Sequence, residues 1–140
     1  MSVSERRSAA RSSVVWGALE SVLENAVLGN AGPGNTGRRN TGRRNTGRRN
    51  TGRRDVLDIG GGTGGFAVRV AESGHRVTVV DPSPDSLAAL GRRADEAGVE
   101  VASHQGDLST LTDVIAPGSA DVVLCHGVLE VVPDPVEALV

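Results

Sequence analysis

The chain has 140 residues; all 15 of its basic side chains are arginine, and its two aromatic residues are Trp16 and Phe66. This length allows one modest domain with an aliphatic core. Because the chain contains no lysine, it cannot form a P-loop. Because Cys125 is its single cysteine, it cannot form an internal disulfide. Residues 1–54 hold eleven arginines and three glutamates (+8), whereas residues 55–140 hold four arginines and fourteen acids (−10), so the net charge of −2 hides a basic N-terminal third.

The cellular location is indicated by the absence of cysteine pairs, of a membrane-spanning run and of a secretory signal. A lone cysteine is typical of a reducing environment, and no apolar run approaches the length of a membrane span. The first thirteen residues are rich in arginine and serine but lack the apolar segment of a secretory signal; an organelle transit peptide is the alternative. We therefore expect a cytoplasmic protein with no membrane partner.

The N-terminal part is predicted to contain one helix. Residues 1–12 are expected to form a mobile tail, and from Ser13 apolar residues recur at three- and four-residue spacings until the Gly- and Pro-rich segment 29–34. The apolar stripe indicates a helix packed on the edge of a domain. The alternative is a lid over a ligand pocket, with Trp16 as a contact.

Four copies of Asn-Thr-Gly-Arg-Arg occupy residues 35–54. A five-residue period fits neither a helix nor a strand, and eight arginines repel one another, so we predict an extended, solvated linker. The alternative is non-specific binding to the phosphates of nucleic acid or lipid. No aromatic side chains interleave to stack on bases, which makes a nucleic-acid partner the less favoured interpretation. The chain then divides into residues 1–34, the linker and a domain at residues 55–140.

From residue 55 onward, short apolar runs alternate with helical patterns. The predicted strands are Asp55–Gly60, Arg76–Asp81, Val99–His104 and Ala120–Cys125. The predicted helices are Gly64–Ser73, Pro84–Ala97, a short helix or loop at Asp107–Ile115, and a helix from Val128 that is interrupted near Pro133 and Pro135. Such alternation predicts βαβ units and a parallel sheet with right-handed crossovers.

The most informative stretch is the glycine-rich turn that follows the first predicted strand. Five glycines within six residues allow a tight turn and leave room for a ligand close to the backbone. The spacing Gly60-x-Gly62-x-x-Gly65 fits a dinucleotide fingerprint, and Asp81 lies where a ribose-binding acid is expected. Nucleotide-like ligands bind at the carboxyl ends of parallel strands. Polar residues stand at all four predicted ends: Asp58, Asp81, Asp107 and the pair Cys125-His126.

Asp58-x-Gly60-x-Gly62-x-Gly64 resembles the first motif of the class I S-adenosylmethionine-dependent methyltransferases. Three further stretches resemble the second, third and fourth motifs of that family: Val79–Ser83, Gln105–Leu108 and Ala120–Glu130. The resemblance covers about residues 55–140. It implies a Rossmann-like α/β fold with strand order 3-2-1-4, the first part of a seven-stranded sheet, so that the chain resembles a methyltransferase truncated after its fourth strand.

The resemblance also implies S-adenosyl-L-methionine as the cofactor. The implied binding residues are Asp58, Gly60, Gly62, Gly64, Asp81, Asp107, Leu108, Cys125 and His126. In the family pattern, Asp81 takes both ribose hydroxyls, Asp107 receives the adenine amino group, and the backbone N–H of Leu108 meets a ring nitrogen. Cys125 is expected to contribute a backbone carbonyl at the methionine end, beside His126 at the methyl-donor face.

Each of these residues also has a structural interpretation. Asp58 could stabilise the turn, Asp81 could end its strand, and Asp107 could cap the short helix that follows it. The thiol of Cys125 is expected to act as a small buried hydrophobe. His126 could act as a base, although a role in shaping the pocket is favoured.

The resemblance implies methyl transfer to a small-molecule acceptor, achieved mainly by aligning the reactants, so no catalytic residue is assigned and no metal site is expected. Two alternatives stay open: an NAD-dependent oxidoreductase and a non-catalytic ligand-binding fragment. With four strands, the last one is expected to form an exposed apolar edge. Donor binding would then be weak, with little turnover and a tendency to self-associate.

Overall fold

The computed structural model describes residues 2–28, 52–126, 128, 133, 134 and 136. The chain divides into two compact units, Met1–Gly52 and Arg53–Val140. Most of the predicted linker lies outside the described residues, as does most of the helix predicted from residue 128. In the part that is described, no helix combines the length and the hydropathy needed to cross a membrane.

The first unit contains a helix that begins earlier than predicted. Helix α1 spans Val3–Leu28, and its buried apolar residues, Trp16, Leu19 and Leu23, follow three- and four-residue spacings. The expectation of a mobile tail at residues 1–12 is therefore wrong. The physical reason is a capping box, in which the N–H of Glu5 donates to Ser2 Oγ at 3.2 Å and the N–H of Ser2 donates to the Glu5 carboxylate.

The second unit is built on a four-stranded parallel sheet. Its strands are β1 (Asp55–Ile59), β2 (Arg76–Asp81), β3 (Ala102–Gln105) and β4 (Val122–Leu124). The order β3-β2-β1-β4 confirms the predicted topology. Strand β3 begins later than predicted, because the N–H of Val99 donates to the carbonyl of Ala94 at 3.0 Å and so belongs to the end of the preceding helix.

Three helices connect the strands: α2 (Ala67–Glu72), α3 (Pro84–Ala97) and α4 (Leu111–Val114). Helix α3 has the predicted bounds, since Ser83 Oγ accepts the N–H of Ser86 and Gly98 takes the left-handed conformation at φ 67°. Helix α2 is shorter than the predicted Gly64–Ser73. Gly64 has φ +82° and cannot lie inside a right-handed helix.

The strand order places helices on both faces of the sheet. Right-handed crossovers put α2 and α3 on one face and α4 on the other, because the chain reverses its direction across the sheet after β3. On the α4 face, Leu57, Ile59 and Val80 form a buried cluster. The partly buried residues packed against this cluster are Leu108, Leu111, Val114, Ile115, Ala120 and Val128. The central strands β1 and β2 therefore provide a rigid base for the residues at their carboxyl ends.

Candidate functional site

The carboxyl ends of the strands meet at one edge of the sheet. Asp58 stands opposite Val79 on β2 and Leu124 on β4, while Asp81 stands opposite Gln105 on β3. Just beyond the strands, the N–H of Gly60 donates to the carbonyl of Val80 at 2.7 Å. The four segments predicted to hold a ligand thus leave the sheet side by side.

The glycine loop, residues 60–65, follows β1 at this edge. Gly60, Gly62 and Gly64 all have positive φ, at 70°, 57° and 82°. A β-carbon on Gly60 would collide with Val128, and one on Gly64 would collide with Leu90. A β-carbon on Gly62 would meet nothing closer than 4.0 Å. Close packing therefore restricts Gly60 and Gly64, and also Gly61 beside Asp58, whereas the space at Gly62 is open.

Asp58 lies directly beneath this loop. Its side chain is 3% exposed, and a β-carbon on Gly61 would stand 2.6 Å from Asp58 Oδ2. That oxygen is buried and has no hydrogen-bond partner among the residues that the structure describes. Burial raises the pKa of Asp58 to about 6; the positive charge of His126 lowers it, and the negative charge of Asp81 raises it. A buried acceptor left unpaired is costly, so this oxygen suits a ligand that brings a cation or an N–H group.

Asp81 ties the end of β2 to the glycine loop. Its Oδ2 accepts the N–H of Gly62 at 2.9 Å, and its Oδ1 accepts the N–H of Ser83 at 2.8 Å. The side chain is 7% exposed. Each carboxylate oxygen has two lone pairs, so both can accept a further hydrogen bond from a hydroxyl group. Asp81 therefore both orders the loop and keeps acceptor capacity at the edge.

Asp107 is exposed and caps the turn that leads into α4. Its Oδ1 accepts the N–H of Ser109 at 2.8 Å and the hydroxyl of Ser109 at 2.6 Å, and these hydrogen bonds lower the pKa of Asp107. Within the described part of the chain, Asp107 Oδ2 and the N–H of Leu108 form no hydrogen bond. The N-cap of α4 is Thr110, which makes no side-chain cap, so the prediction that Asp107 caps this helix is wrong. Asp107 Oδ1 orders the turn before the helix, and Oδ2 stays available to a ligand.

Cys125 and His126 follow β4. The Cys125 thiol is partly buried, and its pKa is raised by burial and by the charge of Asp58, so it stays protonated at neutral pH. The exposed His126 ring packs against Phe66, with ring centroids 5.4 Å apart and planes at 78°. The described residues contain no group of three or more His, Cys, Asp or Glu placed to hold a metal ion.

Two neighbours of the glycine loop were missed at the sequence level: Phe66, which contacts His126, and Val128, which contacts Gly60. Phe66 directly follows the glycine loop and Val128 lies inside the fourth motif stretch, Ala120–Glu130, but no periodic pattern singles out either residue. The pairing of β1 with β4 is what brings them together. The strand order could be predicted from the sequence, whereas these two side-chain contacts could not.

A family profile described as a methyltransferase domain matches residues 56–140. This span is more than half of the chain, and it contains every strand-end residue described above. The chain belongs to the class I S-adenosylmethionine-dependent methyltransferases. Members of this family use S-adenosylmethionine as the methyl donor, so the assignment favours the methyl-donor interpretation of the glycine loop over the NAD-dependent one.

Curated relatives agree with this methyltransferase assignment. The ubiquinone biosynthesis O-methyltransferase of Sodalis glossinidius is 41% identical over 81 residues, which cover 58% of this chain and 32% of that protein. The protein of the same name from Azotobacter vinelandii is 38% identical over 84 residues, which cover 60% of this chain and 36% of that protein. The chain spans about a third of the length of the curated relatives it matches.

Solved structures show the same fold. The YcgJ protein of Bacillus subtilis matches 62% of this methyltransferase chain with 27% identity and a TM-score of 0.55, over 37% of its own chain. A protein solved in work on the conversion of a disulfide bond into a thioacetal group during echinomycin biosynthesis matches 61% of this chain with 30% identity and the same TM-score, over 36% of its own chain.

A second family profile, for pentapeptide repeats, matches residues 24–56 of this methyltransferase chain. This span contains the four Asn-Thr-Gly-Arg-Arg copies and agrees with their five-residue period. It overlaps the end of α1 and the start of β1, and the residues between them lie mostly outside the described part. The linker role of these repeats therefore stays a prediction.

Proposed function

We propose that this chain binds S-adenosyl-L-methionine at the carboxyl edge of its sheet and serves methyl transfer to a small-molecule acceptor. The observation that carries the proposal is the buried Asp58 carboxylate, whose Oδ2 has no partner among the described residues and lies beneath the glycine loop. S-adenosylmethionine carries an ammonium group and a sulfonium centre. A cationic ligand above the loop would stabilise the ionised carboxylate that burial disfavours.

The polar groups along the edge suit the remainder of the donor. The spare lone pairs of Asp81 can accept both ribose hydroxyls, and the open space at Gly62 lets the ligand approach the backbone. Asp107 Oδ2 and the N–H of Leu108 offer an acceptor and a donor side by side, as an adenine amino group and ring nitrogen require. We place the methionine end of the donor beside Cys125 and His126, with the carbonyl of Cys125 as an acceptor.

When bound, S-adenosylmethionine supplies a methyl group on a positively charged sulfur, already activated for transfer. The residues of this chain have to orient the donor and exclude water, and we assign no catalytic residue. We propose an oxygen nucleophile as the first acceptor class to test, because the curated relatives are named as O-methyltransferases.

We propose that the methyltransferase domain occupies residues 55–140, with residues 35–54 as a solvated linker and residues 1–34 as a separate helical segment. The arginines of the linker are the part of the chain suited to phosphate groups, although the absence of interleaved aromatic side chains disfavours a nucleic-acid partner. The single cysteine supports a cytoplasmic location.

Calorimetric titration of the full chain tests this proposal. S-adenosylmethionine and S-adenosylhomocysteine are expected to bind with one-to-one stoichiometry, and NAD is expected not to bind. Asp85 on the first turn of α3 provides a matched control, because Asp85→Ala removes an exposed carboxylate that is not among the proposed binding residues. Saturable binding of NAD without binding of S-adenosylmethionine would contradict the proposal.

A further inference from the structure

Two residues that follow β4, His126 and Val128, lie near the two ends of the glycine loop. Strand β4 pairs with β1 so that Leu124 stands opposite Asp58. Two residues farther on, His126 reaches Phe66, which directly follows the loop. Val128 lies against Gly60, the first residue of the loop. The loop is thus flanked by His126 and Val128, which follow the strand paired with β1 on the side away from β2.

The contact between His126 and Phe66 has a defined geometry. The ring centroids are 5.4 Å apart and the planes meet at 78°, which is an edge-to-face arrangement that aromatic rings prefer. Phe66 immediately precedes α2, so its ring orientation is coupled to the backbone at the end of the loop. His126 is exposed, and burial in the core does not explain its position.

The same histidine acts on the carboxylate beneath the loop. Three titratable groups interact electrostatically with Asp58. They are Asp81 at the end of β2 and Cys125 and His126 after β4. Asp81 disfavours the ionised form of Asp58, whereas the positive charge of His126 favours it. His126 therefore lies close enough to both Phe66 and Asp58 to influence them.

We propose that His126 is a positioning residue for the methyl donor, and that its ring holds Phe66, and thereby the glycine loop, in place above Asp58. The inference rests on the proposed donor-binding function. It states that His126 affects donor binding through Phe66 and the glycine loop, without having to contact the donor itself. The ring, rather than the hydrogen-bonding capacity of the imidazole, carries this effect. A phenyl ring in the same place is therefore expected to replace it.

The test compares His126→Ala, His126→Phe and His126→Gln in calorimetric titrations of the full chain with S-adenosylmethionine at about pH 8. His126→Ala and His126→Gln are expected to weaken donor binding about two- to tenfold, as the loss of an aromatic pair predicts. His126→Phe is expected to stay within about twofold of the wild type. His104→Ala is the matched control, because His104 is an exposed histidine on β3, and it is expected to change nothing.

Two further measurements separate this role from a structural one. Phe66→Leu is expected to weaken donor binding as much as His126→Ala, and the double variant is expected to bind no more weakly than either single variant.

The outcomes distinguish failure of this inference from failure of the proposed function. If the wild type does not bind S-adenosylmethionine, the proposed function and this inference both fall. If the wild type binds the donor and His126→Ala binds it equally well, or if His126→Phe is as weak as His126→Ala, only the positioning role is refuted. Additive losses in the double variant would also refute it, because the two rings would then act separately.

Discussion

Asp55 and Asp58 lie three residues apart on β1 and play opposite parts. At the amino end of the strand, both carboxylate oxygens of Asp55 accept hydrogen bonds from Arg76, at 2.5 and 2.9 Å. At the carboxyl end, Asp58 is buried and its Oδ2 has no partner in the described part of the chain. A carboxylate with all its partners inside the protein supports the fold, whereas the negative charge of one left unpaired beneath a glycine loop favours a cationic ligand at that loop.

The amino edge of the sheet holds further internal hydrogen bonds, although Arg54 Nε is buried there without a partner among the described residues. The N–H of Asp55 donates to Asp121 Oδ2 at 2.9 Å, and the pKa of Arg76 is raised by its hydrogen bonds to Asp55 and by the Asp55 charge. The His75 Nδ1 atom accepts the N–H of Arg54 at 3.1 Å. The two ends of β1 thus differ in their carboxylates: that of Asp55 is paired inside the protein, whereas Asp58 Oδ2 is not.

The largest expected effect is on stability as a function of pH. The pKa of Asp58 is raised from 3.8 to about 6 in the folded protein. The folded state therefore holds the proton more tightly, and the free energy of unfolding falls as the pH rises through this window, by up to about 3 kcal/mol. Urea unfolding between about pH 4 and pH 7 is expected to show Asp58→Asn gaining stability relative to the wild type as the pH rises. If the difference in unfolding free energy between Asp58→Asn and the wild type does not change with pH, Asp58 does not have a raised pKa, and its contrast with Asp55 is wrong.

Asp58→Asn is expected to weaken binding of S-adenosylmethionine by about 2 kcal/mol, roughly thirtyfold, because a charge-assisted interaction is lost. Asp55→Asn removes an equivalent charge from the same strand and is expected to leave donor affinity within about twofold, since the Asp55 partners lie inside the protein. Calorimetry on both variants at neutral pH makes the measurement. Equal losses would mean that net charge, rather than position, determines donor binding.

Asp81→Ala is expected to weaken donor binding by roughly 1–3 kcal/mol, because the ribose hydroxyls lose their acceptor and Gly62 loses the partner of its N–H. Circular dichroism is needed beside the calorimetry, since the same carboxylate also orders the loop. If the variant is folded and its affinity for the donor is unchanged, Asp81 is not a donor-binding residue.

The smallest effect is expected far from the carboxyl edge. Deletion of residues 35–49 removes three of the four repeats and is expected to leave donor affinity within about twofold, because the length of a flexible connection costs little free energy. Filter binding of labelled DNA by the full and the shortened chain, at low and high salt, tests the phosphate-binding alternative. Loss of donor binding on deletion would place the repeats in the pocket and contradict the linker prediction.

Local sequence signals were sufficient wherever a residue acts on its immediate neighbours. Ser83 and Pro84 start α3 and Gly98 ends it, as predicted, because capping depends on atoms three or four residues apart. The start of α1 was equally available from the sequence, since Ser2 and Glu5 form a capping box three residues apart. The strand order followed from the resemblance of four motifs to one family.

The sequence by itself determined the alternation of strands and helices, the position of the glycine loop and the set of polar residues at the strand ends. Tertiary structure alone decided which carboxylate is paired: Arg76 reaches Asp55, whereas Asp58 is buried and its Oδ2 has no partner among the described residues. It also decided the contact of His126 with Phe66, which are sixty residues apart in the chain. Burial and long-range contacts depend on the pairing of β1 with β4, and no local pattern encodes the side-chain geometry that this pairing produces.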